Sequence, residues 1–390
     1  MGRIGEELME YEALIQIIRD GLRRRGPTPF SWFMEQALYQ PEHGYYAADR
    51  CAIGRRGDYF TSVSVGPLFG VMLAGQFAEI WETLGRPGDF VIVEQGTHHG
   101  EFATDVLEAL RAHWPEFFVH VRYRVVEPFP ILRQRQEGVL RAFAEKMEWA
   151  ESVEEMEPFT GVHFSNELID AMPAHVIVAA GAPGEREWRE RMVERTSCGF
   201  AFTDRAITDP RLRARLVKLP PAPEGGYETE INLAALDWID ALAARVIRGV
   251  VLIADYGFAR GEFYAPNRHT GTLQVYARHQ VEASPLEEVG ARDISAHVEW
   301  TSLVEQAEQS GLRLAGFTDQ HHFLTGLLST HPEIASASTE KTRALQTLLH
   351  PELLGTKFQF LGLTKDFPAQ ASLGGFQFAR DARAVLGLSE

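Results

Sequence analysis

Four short apolar runs, each halting at polar or glycine-bearing residues, constrain this 390-residue chain most. They are Phe90-Val91-Ile92-Val93-Glu94, Tyr123-Arg124-Val125-Val126-Glu127, Val162-His163-Phe164-Ser165 and Val250-Val251-Leu252-Ile253-Ala254-Asp255. Continuous apolar runs of this length read as strands buried on both faces, which is the condition of a parallel sheet. Helical patterns from about Glu101 to Ala112 and from Leu132 to Phe143 separate the first three. Strand–helix alternation of this kind builds right-handed βαβ units. The expectation is an α/β, Rossmann-like core in which strands at 90–94, 122–127, 162–165 and 250–254 are neighbours in one mainly parallel sheet. Phe358 to Leu363 reads as a closing strand.

Around this core the pattern changes. Tyr11, Leu14, Ile15, Ile18 and Leu22 recur at helical spacing, so a first amphipathic helix precedes Pro27 and Pro29. Ser31 is placed to cap a second helix through about Tyr39, and a third runs from about Pro67 to Leu84. Residues 51–64 read as an ordered loop. Val176-Ile177-Val178 and the stretch 188–193 look like an antiparallel excursion. The expected organisation is a helical N-terminal segment over 1–85 packing on the core, and a core over 86–365. Inserted α+β substrate-side stretches occupy about 174–230 and 258–300, and an appendage covers 366–390.

Composition excludes several classes of function. The formal net charge is −16, and nucleic-acid binding requires clustered Lys and Arg to neutralise phosphate. No apolar run approaches the ~18 residues of a membrane span. Glu6, Glu7, Glu10 and Glu12 stand where a secretory or mitochondrial leader needs basic residues, so a cytoplasmic location is expected. Cys51 and Cys198 form no Cys-x-x-Cys pair, and His98-His99 and His321-His322 are adjacent pairs rather than i, i+4 ligand sets. No metal site is expected.

The chemistry sits where the strands end. Glu94-Gln95-Gly96-Thr97-His98-His99-Gly100 follows the first strand, and a glycine turn leading into a helix N-terminus lets a ligand approach the backbone. The dinucleotide pattern Gly-x-Gly-x-x-Gly fails from Gly96, because His98 and Glu101 hold the third and sixth places. Glu127 can accept hydrogen bonds from a ribose diol, or can be a solvated strand-end carboxylate. Asn166-Glu167-Leu168-Ile169-Asp170 follows the third strand. Asn166, Glu167 and Asp170 can hold a guanidinium through paired carboxylates, or can cap a helix. Asp255-Tyr256-Gly257 is either part of the active site or a strand-terminating turn. His279 and His297 lie in two further loops.

These residues in this order resemble the MidA family, which includes the mitochondrial complex I assembly-factor methyltransferases. The likeness runs from about Gly26 to Leu363. It is carried by Phe33-Met34-x-x-Ala37-Leu38-Tyr39-x-Pro41-x-His43-Gly44-Tyr45-Tyr46, Gly57-Asp58-Tyr59-Phe60-Thr61-Ser62, Leu68-Phe69-Gly70, Glu127-Pro128 and Asn166-Glu167-x-x-Asp170-x-x-Pro173. Trp188-x-Glu190-Arg191, Asp255-Tyr256-Gly257, Gly271-Thr272-Leu273, His279 and Asp293-Ile294-Ser295-Ala296-His297-Val298 complete it. The resemblance implies a class I methyltransferase fold, S-adenosyl-L-methionine as cofactor and a protein arginine as methyl acceptor, by kinship a respiratory-complex subunit.

In that reading Glu94, Gly96, Gly100 and Glu127 hold the cofactor while Asp58 and Thr61 close over it. Glu167 and Asp170 orient the guanidinium, Asn166 steadies their loop, and Asp255, His279 and His297 stand on the substrate side. Two departures fall in the cofactor region. His98 replaces the middle glycine of Glu-x-Gly-x-Gly-x-Gly, and Val63-Ser64 replaces Pro-Glu. They leave open a binding or assembly protein that kept the fold and lost turnover. An NAD-dependent oxidoreductase fits poorly, because the glycine fingerprint fails.

Overall fold

The structure, a computed structural model, describes residues 2–48, 61–182, 186–221, 225–277, 280–281, 284–335 and 339–389. It forms two compact units interleaved along the chain. One comprises Met1–Tyr59, Ile169–Ala235 and Arg260–Val298; the other comprises Phe60–Leu168, Leu236–Ala259 and Glu299–Glu390.

The second unit contains the sheet. Its strands are β1 (Phe90–Gln95), β2 (Val121–Val126), β3 (Met147–Ala150), β4 (Phe159–Asn166), β5 (Val246–Phe258), β6 (Arg313–Asp319) and β7 (Phe358–Lys365). They lie side by side in the order β6-β7-β5-β4-β1-β2-β3. The pairs from β5 through β3 are all parallel. Along this path β7 runs antiparallel to both β5 and β6. The order reverses at β1 and β4, which is the topological switch point where open α/β sheets bind ligands beyond their strand ends.

The central strands β1, β4 and β5 are apolar along their middles because they bury both faces there. Helix Leu68–Thr83 is apolar nearly all round, burying Phe69, Met72, Leu73, Phe77, Ile80 and Trp81. The Phe69 ring meets those of Phe102, Phe164 and Phe360. Burying each such ring stabilises the fold by roughly 1.5–3 kcal/mol. Helix Glu101–His113 is amphipathic by contrast, with Phe102, Ala103, Val106, Leu107 and Leu110 turned inward.

In the first unit, helix Gly2–Arg25 buries Leu14, Ile18 and Leu22 with Phe30, Phe33, Met34 and Leu38 of the next helix, Phe30–Tyr39. The second helix begins after Pro29 and has no side-chain cap. Ser31 is therefore not the cap expected from sequence: it lies inside the first turn, its Oγ 3.4 Å from the His175 ring. The antiparallel excursion is present. His175–Ala180 pairs with Glu187–Arg195 on one side and Glu228–Ile231 on the other. Among the described residues, no helix is long and apolar enough to cross a membrane.

Candidate functional site

Strand register brings the key loops to one edge. Gln95 of β1 is opposite Val126 of β2 and Ser165 of β4, and Asn166 of β4 is opposite Ala254 of β5. Gly96, Glu127, Asn166, Glu167 and Asp255 therefore emerge together at the carboxyl edge of the second unit. Asp255 does not end its strand. β5 continues to Phe258, and Tyr256 pairs with Phe358 of β7, so the strand-terminating reading of this triplet is corrected.

The turn after β1 takes the backbone form its residues suggest. Gly96 and Gly100 have φ of 81° and 98°, the left-handed region that favours glycine. Gly100 also heads helix Glu101–His113. His98 keeps a left-handed backbone too, with φ 50°, despite its side chain. A bulky residue there costs about 1 kcal/mol or more. Its ring lies against that of His99, with centroids 3.7 Å apart and the planes tilted by 31°. Its carbonyl accepts a hydrogen bond from Gln136 Nε2 at 2.8 Å. The same Nε2 donates to Glu127 Oε2 at 2.8 Å, while Trp149 Nε1 donates to Gln136 Oε1. Glu127 Oε1 accepts from the Phe129 amide at 3.0 Å. A wholly buried glutamine thus ties the β1 turn to the β2 carboxylate.

Glu94 faces inward. Its carboxyl is buried and accepts a 2.6 Å hydrogen bond from the Tyr123 hydroxyl. Burial pushes it up to about 8, against the lowering effect of that bond. The neighbouring Gln95 accepts from Trp238 Nε1 at 2.9 Å.

The loop after β4 is stapled to the last residues of β5. Asp255, fully buried, accepts from the Leu168 and Tyr256 amides at 3.1 and 2.8 Å. Glu167 adopts φ 53°, and its amide donates to the Ala254 carbonyl. Its Oε1 accepts from Asn166 Nδ2 at 2.9 Å and its Oε2 from the Tyr256 hydroxyl at 3.3 Å. The residues from 167 to 174 are turns and bends, so no helix is present for Asn166 or Glu167 to cap. Thr97 Oγ1 and Asn166 Oδ1, in the segments that end β1 and β4, are buried with no protein partner.

Other expected residues lie elsewhere. Thr61 is buried in a turn closed by Ser64, whose Oγ accepts from the Thr61 amide and donates to the Thr61 carbonyl. Ser64 thus does local work where the resembled family has Pro-Glu. The adjacent Ser62 donates to Gln320 Oε1. Asp170 and His297 belong to the first unit, where the Ala296 amide donates to the Asp170 carbonyl and the His297 amide donates to Thr272 Oγ1. Burial, then the nearby Arg268, hold the His297 imidazole down near 4. Asp58, His279 and most of the 51–64 loop lie outside the described residues.

Sequence reasoning missed Gln136, Trp149 and Tyr123. The available signal was Gln136 four residues after Leu132, a polar group on an apolar helix face. His98-His99, read from the sequence as an adjacent pair and not a ligand set, lies with Glu101 so that the donor atoms of the three are within 4.8 Å of one another. A guanidinium already stands beside these donors, with Arg135 Nη1 3.1 Å from His99 Nε2. The trio therefore fits a cation poorly.

Residues 72–318 match the model of a family described as "Putative S-adenosyl-L-methionine-dependent methyltransferase". The chain is 26% identical over 389 residues to the Drosophila melanogaster protein named Protein arginine methyltransferase NDUFAF7 homolog, mitochondrial, covering 90% of this chain and 85% of that one. The human Protein arginine methyltransferase NDUFAF7, mitochondrial, is 23% identical, with 95% and 88% covered. A Burkholderia thailandensis protein solved with S-adenosyl-homocysteine bound superposes with a TM-score of 0.85 at 29% identity, covering 97% of this chain and 98% of the other.

Proposed function

Because this chain belongs to the MidA-like family of S-adenosyl-L-methionine-dependent methyltransferases, we propose that its methyl acceptor is a guanidinium nitrogen of a protein arginine. The observation that carries the reading is the in-register edge that sets Gly96, Glu127 and the Asn166–Glu167 loop together. The arginine methyltransferase names of the Drosophila and human relatives support the same acceptor.

The residues present suit the cofactor. A carboxylate at the end of β2 offers acceptors to a ribose diol. The Gly96 turn and the helix headed by Gly100 expose backbone N–H groups. The buried, unpartnered Thr97 hydroxyl adds a polar group that no protein atom uses. We assign cofactor holding to Gly96, Gly100 and Glu127, with Glu94 supporting the turn from beneath. When bound, S-adenosylmethionine supplies an electrophilic methyl on a sulfonium.

On the acceptor side, Glu167 accepts N–H bonds from the guanidinium and fixes which nitrogen faces the methyl. Methyl transfer from the bound cofactor would leave S-adenosylhomocysteine, and the proton lost by the acceptor nitrogen would pass to solvent. Most of the acceleration comes from alignment, since holding two reactants in line removes a large entropic barrier. A respiratory-complex subunit as partner and a cytoplasmic location complete the proposal, and comparing arginine methylation in fractions with and without the gene tests both.

The direct test is radiolabelled methyl transfer into a lysate depleted of the endogenous enzyme. Wild type should label arginine, and Glu167→Gln should bind cofactor normally but label far less. Equal labelling by the two would reject the role of Glu167. A wild type that binds cofactor yet labels nothing across several lysates would favour the assembly-protein reading.

A further inference from the structure

Glu167 combines two features that seldom coincide on a surface carboxylate. Its backbone sits in the left-handed region at φ 53°, a conformation a glutamate adopts only when its surroundings impose it. Both of its oxygens are also taken by neutral side-chain donors, Asn166 Nδ2 at 2.9 Å and the Tyr256 hydroxyl at 3.3 Å. The Tyr256 ring is itself fixed, lying 4.2 Å from the Phe358 ring. Asp255, on β5, accepts from the Leu168 and Tyr256 amides and so ties the loop after β4 to the strand that carries Tyr256.

We propose that Tyr256 is a positioning residue for methyl transfer, its hydroxyl holding the Glu167 carboxylate ionised and fixed in direction toward the acceptor nitrogen. The inference rests on the role given to Glu167 above. Donors to a carboxylate favour its charged form, and an oriented carboxylate loses less entropy when a guanidinium arrives. Among the described residues, the other ionisable groups on the 166–174 loop and at the end of β5 are Asp170, Asp255 and Tyr256. His163, on β4 itself, is wholly buried, and burial keeps it neutral with its imidazole held down near 3.

Y256F removes the hydroxyl and leaves the ring against Phe358. The first readout is the titration of the Glu167 carboxyl followed by carbon-13 NMR in glutamate-labelled protein, assigned by its absence in E167Q. Loss of one donor should raise the midpoint by roughly 0.5–1 unit. Replacing Tyr256 with 3-fluorotyrosine, a stronger donor of the same shape, should lower it. The second readout is labelled methyl transfer into the depleted lysate with S-adenosylmethionine varied. Y256F should lose about tenfold in apparent kcat while KM for S-adenosylmethionine stays within about twofold, as expected when an interaction matters mainly after cofactor binding. An unmoved midpoint with wild-type kcat in Y256F overturns the proposal, as does a 3-fluorotyrosine variant that leaves the midpoint in place. If E167Q itself turns over at the wild-type rate, the assignment of Glu167 fails instead, so the two failures are distinct.

Discussion

Glu94 and Glu127 stand at the ends of adjacent strands, yet they meet opposite surroundings. The Glu94 carboxyl turns into the core against Tyr123 and is pushed up to about 8, mainly by burial. Between about pH 4.5 and 8 the folded chain therefore holds a proton that the unfolded chain has released, so stability falls as pH rises through that window. Asp105, raised to about 6 by burial and by Glu108 and Glu101, adds the same sign below pH 6. Glu94→Gln should melt at the wild-type temperature near pH 4.5 and above it at pH 8, as thermal scans across this range would show. Glu127 instead accepts from Phe129 and Gln136 at the carboxyl edge of the sheet. Glu127→Ala should weaken S-adenosylmethionine binding by roughly 1–3 kcal/mol, the cost of losing charge-assisted hydrogen bonds, as calorimetry would measure. Unchanged affinity would remove Glu127 from the pocket. The place of Glu127 at the strand-end edge was legible in its position after an apolar strand; its tie to Gln136, which lies on the following helix, was not, because that contact depends on how the helix packs back on the strand end.

The strands themselves show why boundaries were harder to read than existence. The apolar runs began at Val162 and Val250, whereas β4 begins at Phe159 and β5 at Val246. The intervening glycines explain the difference. Gly161 lies opposite Val91 and Gly249 opposite Gly161, so they form a row across three strands. A Cβ on Gly161 would stand 2.0 Å from the Val91 carbonyl oxygen, and one on Gly249 would stand 1.9 Å from that of Gly161. Their φ values of 153° and 149° lie where side chains are rarely tolerated. What looked like a break in the pattern is a close approach of backbones. Gly161→Ala should lower the unfolding free energy by about 1–3 kcal/mol or more, through overpacking, and a urea midpoint equal to wild type would contradict this. β3 and β6 were not anticipated at all. They are the two edge strands of the order, and edge strands need less apolar surface than central ones.

At the scale of the whole chain, charge and ligand binding make separate predictions. With a net charge of −16, an acidic protein attracts a basic acceptor at long range, and salt screens that attraction. Methyl transfer to an arginine-rich peptide at low peptide concentration should therefore slow as sodium chloride rises from 50 to 500 mM, while cofactor affinity changes little. A rate independent of salt would exclude electrostatic recruitment. S-adenosylhomocysteine at one hundred times its Kd should stabilise the protein by about 2.7 kcal/mol by mass action, seen as a raised melting temperature. Glu127→Ala at the same concentration should show a smaller rise.

The resemblance to the MidA family implied the class of reaction, and the sequence by itself determined the parallel core and the edge where its loops gather. Each of these follows from short-range patterns: apolar runs that must be buried on both faces, turns that need glycine, and polar residues placed just after strands. Tertiary structure alone decided which polar groups meet. The Gln136 link between His98 and Glu127, the Tyr123–Glu94 pair and the Asn166–Glu167–Tyr256 cluster join residues up to 89 positions apart. It also decided that residues 1–59 form one unit with 169–235 and 260–298, while helix Leu68–Thr83 belongs with the sheet. Such pairings depend on register and packing between distant segments, and a local pattern of apolar and polar residues carries no record of them.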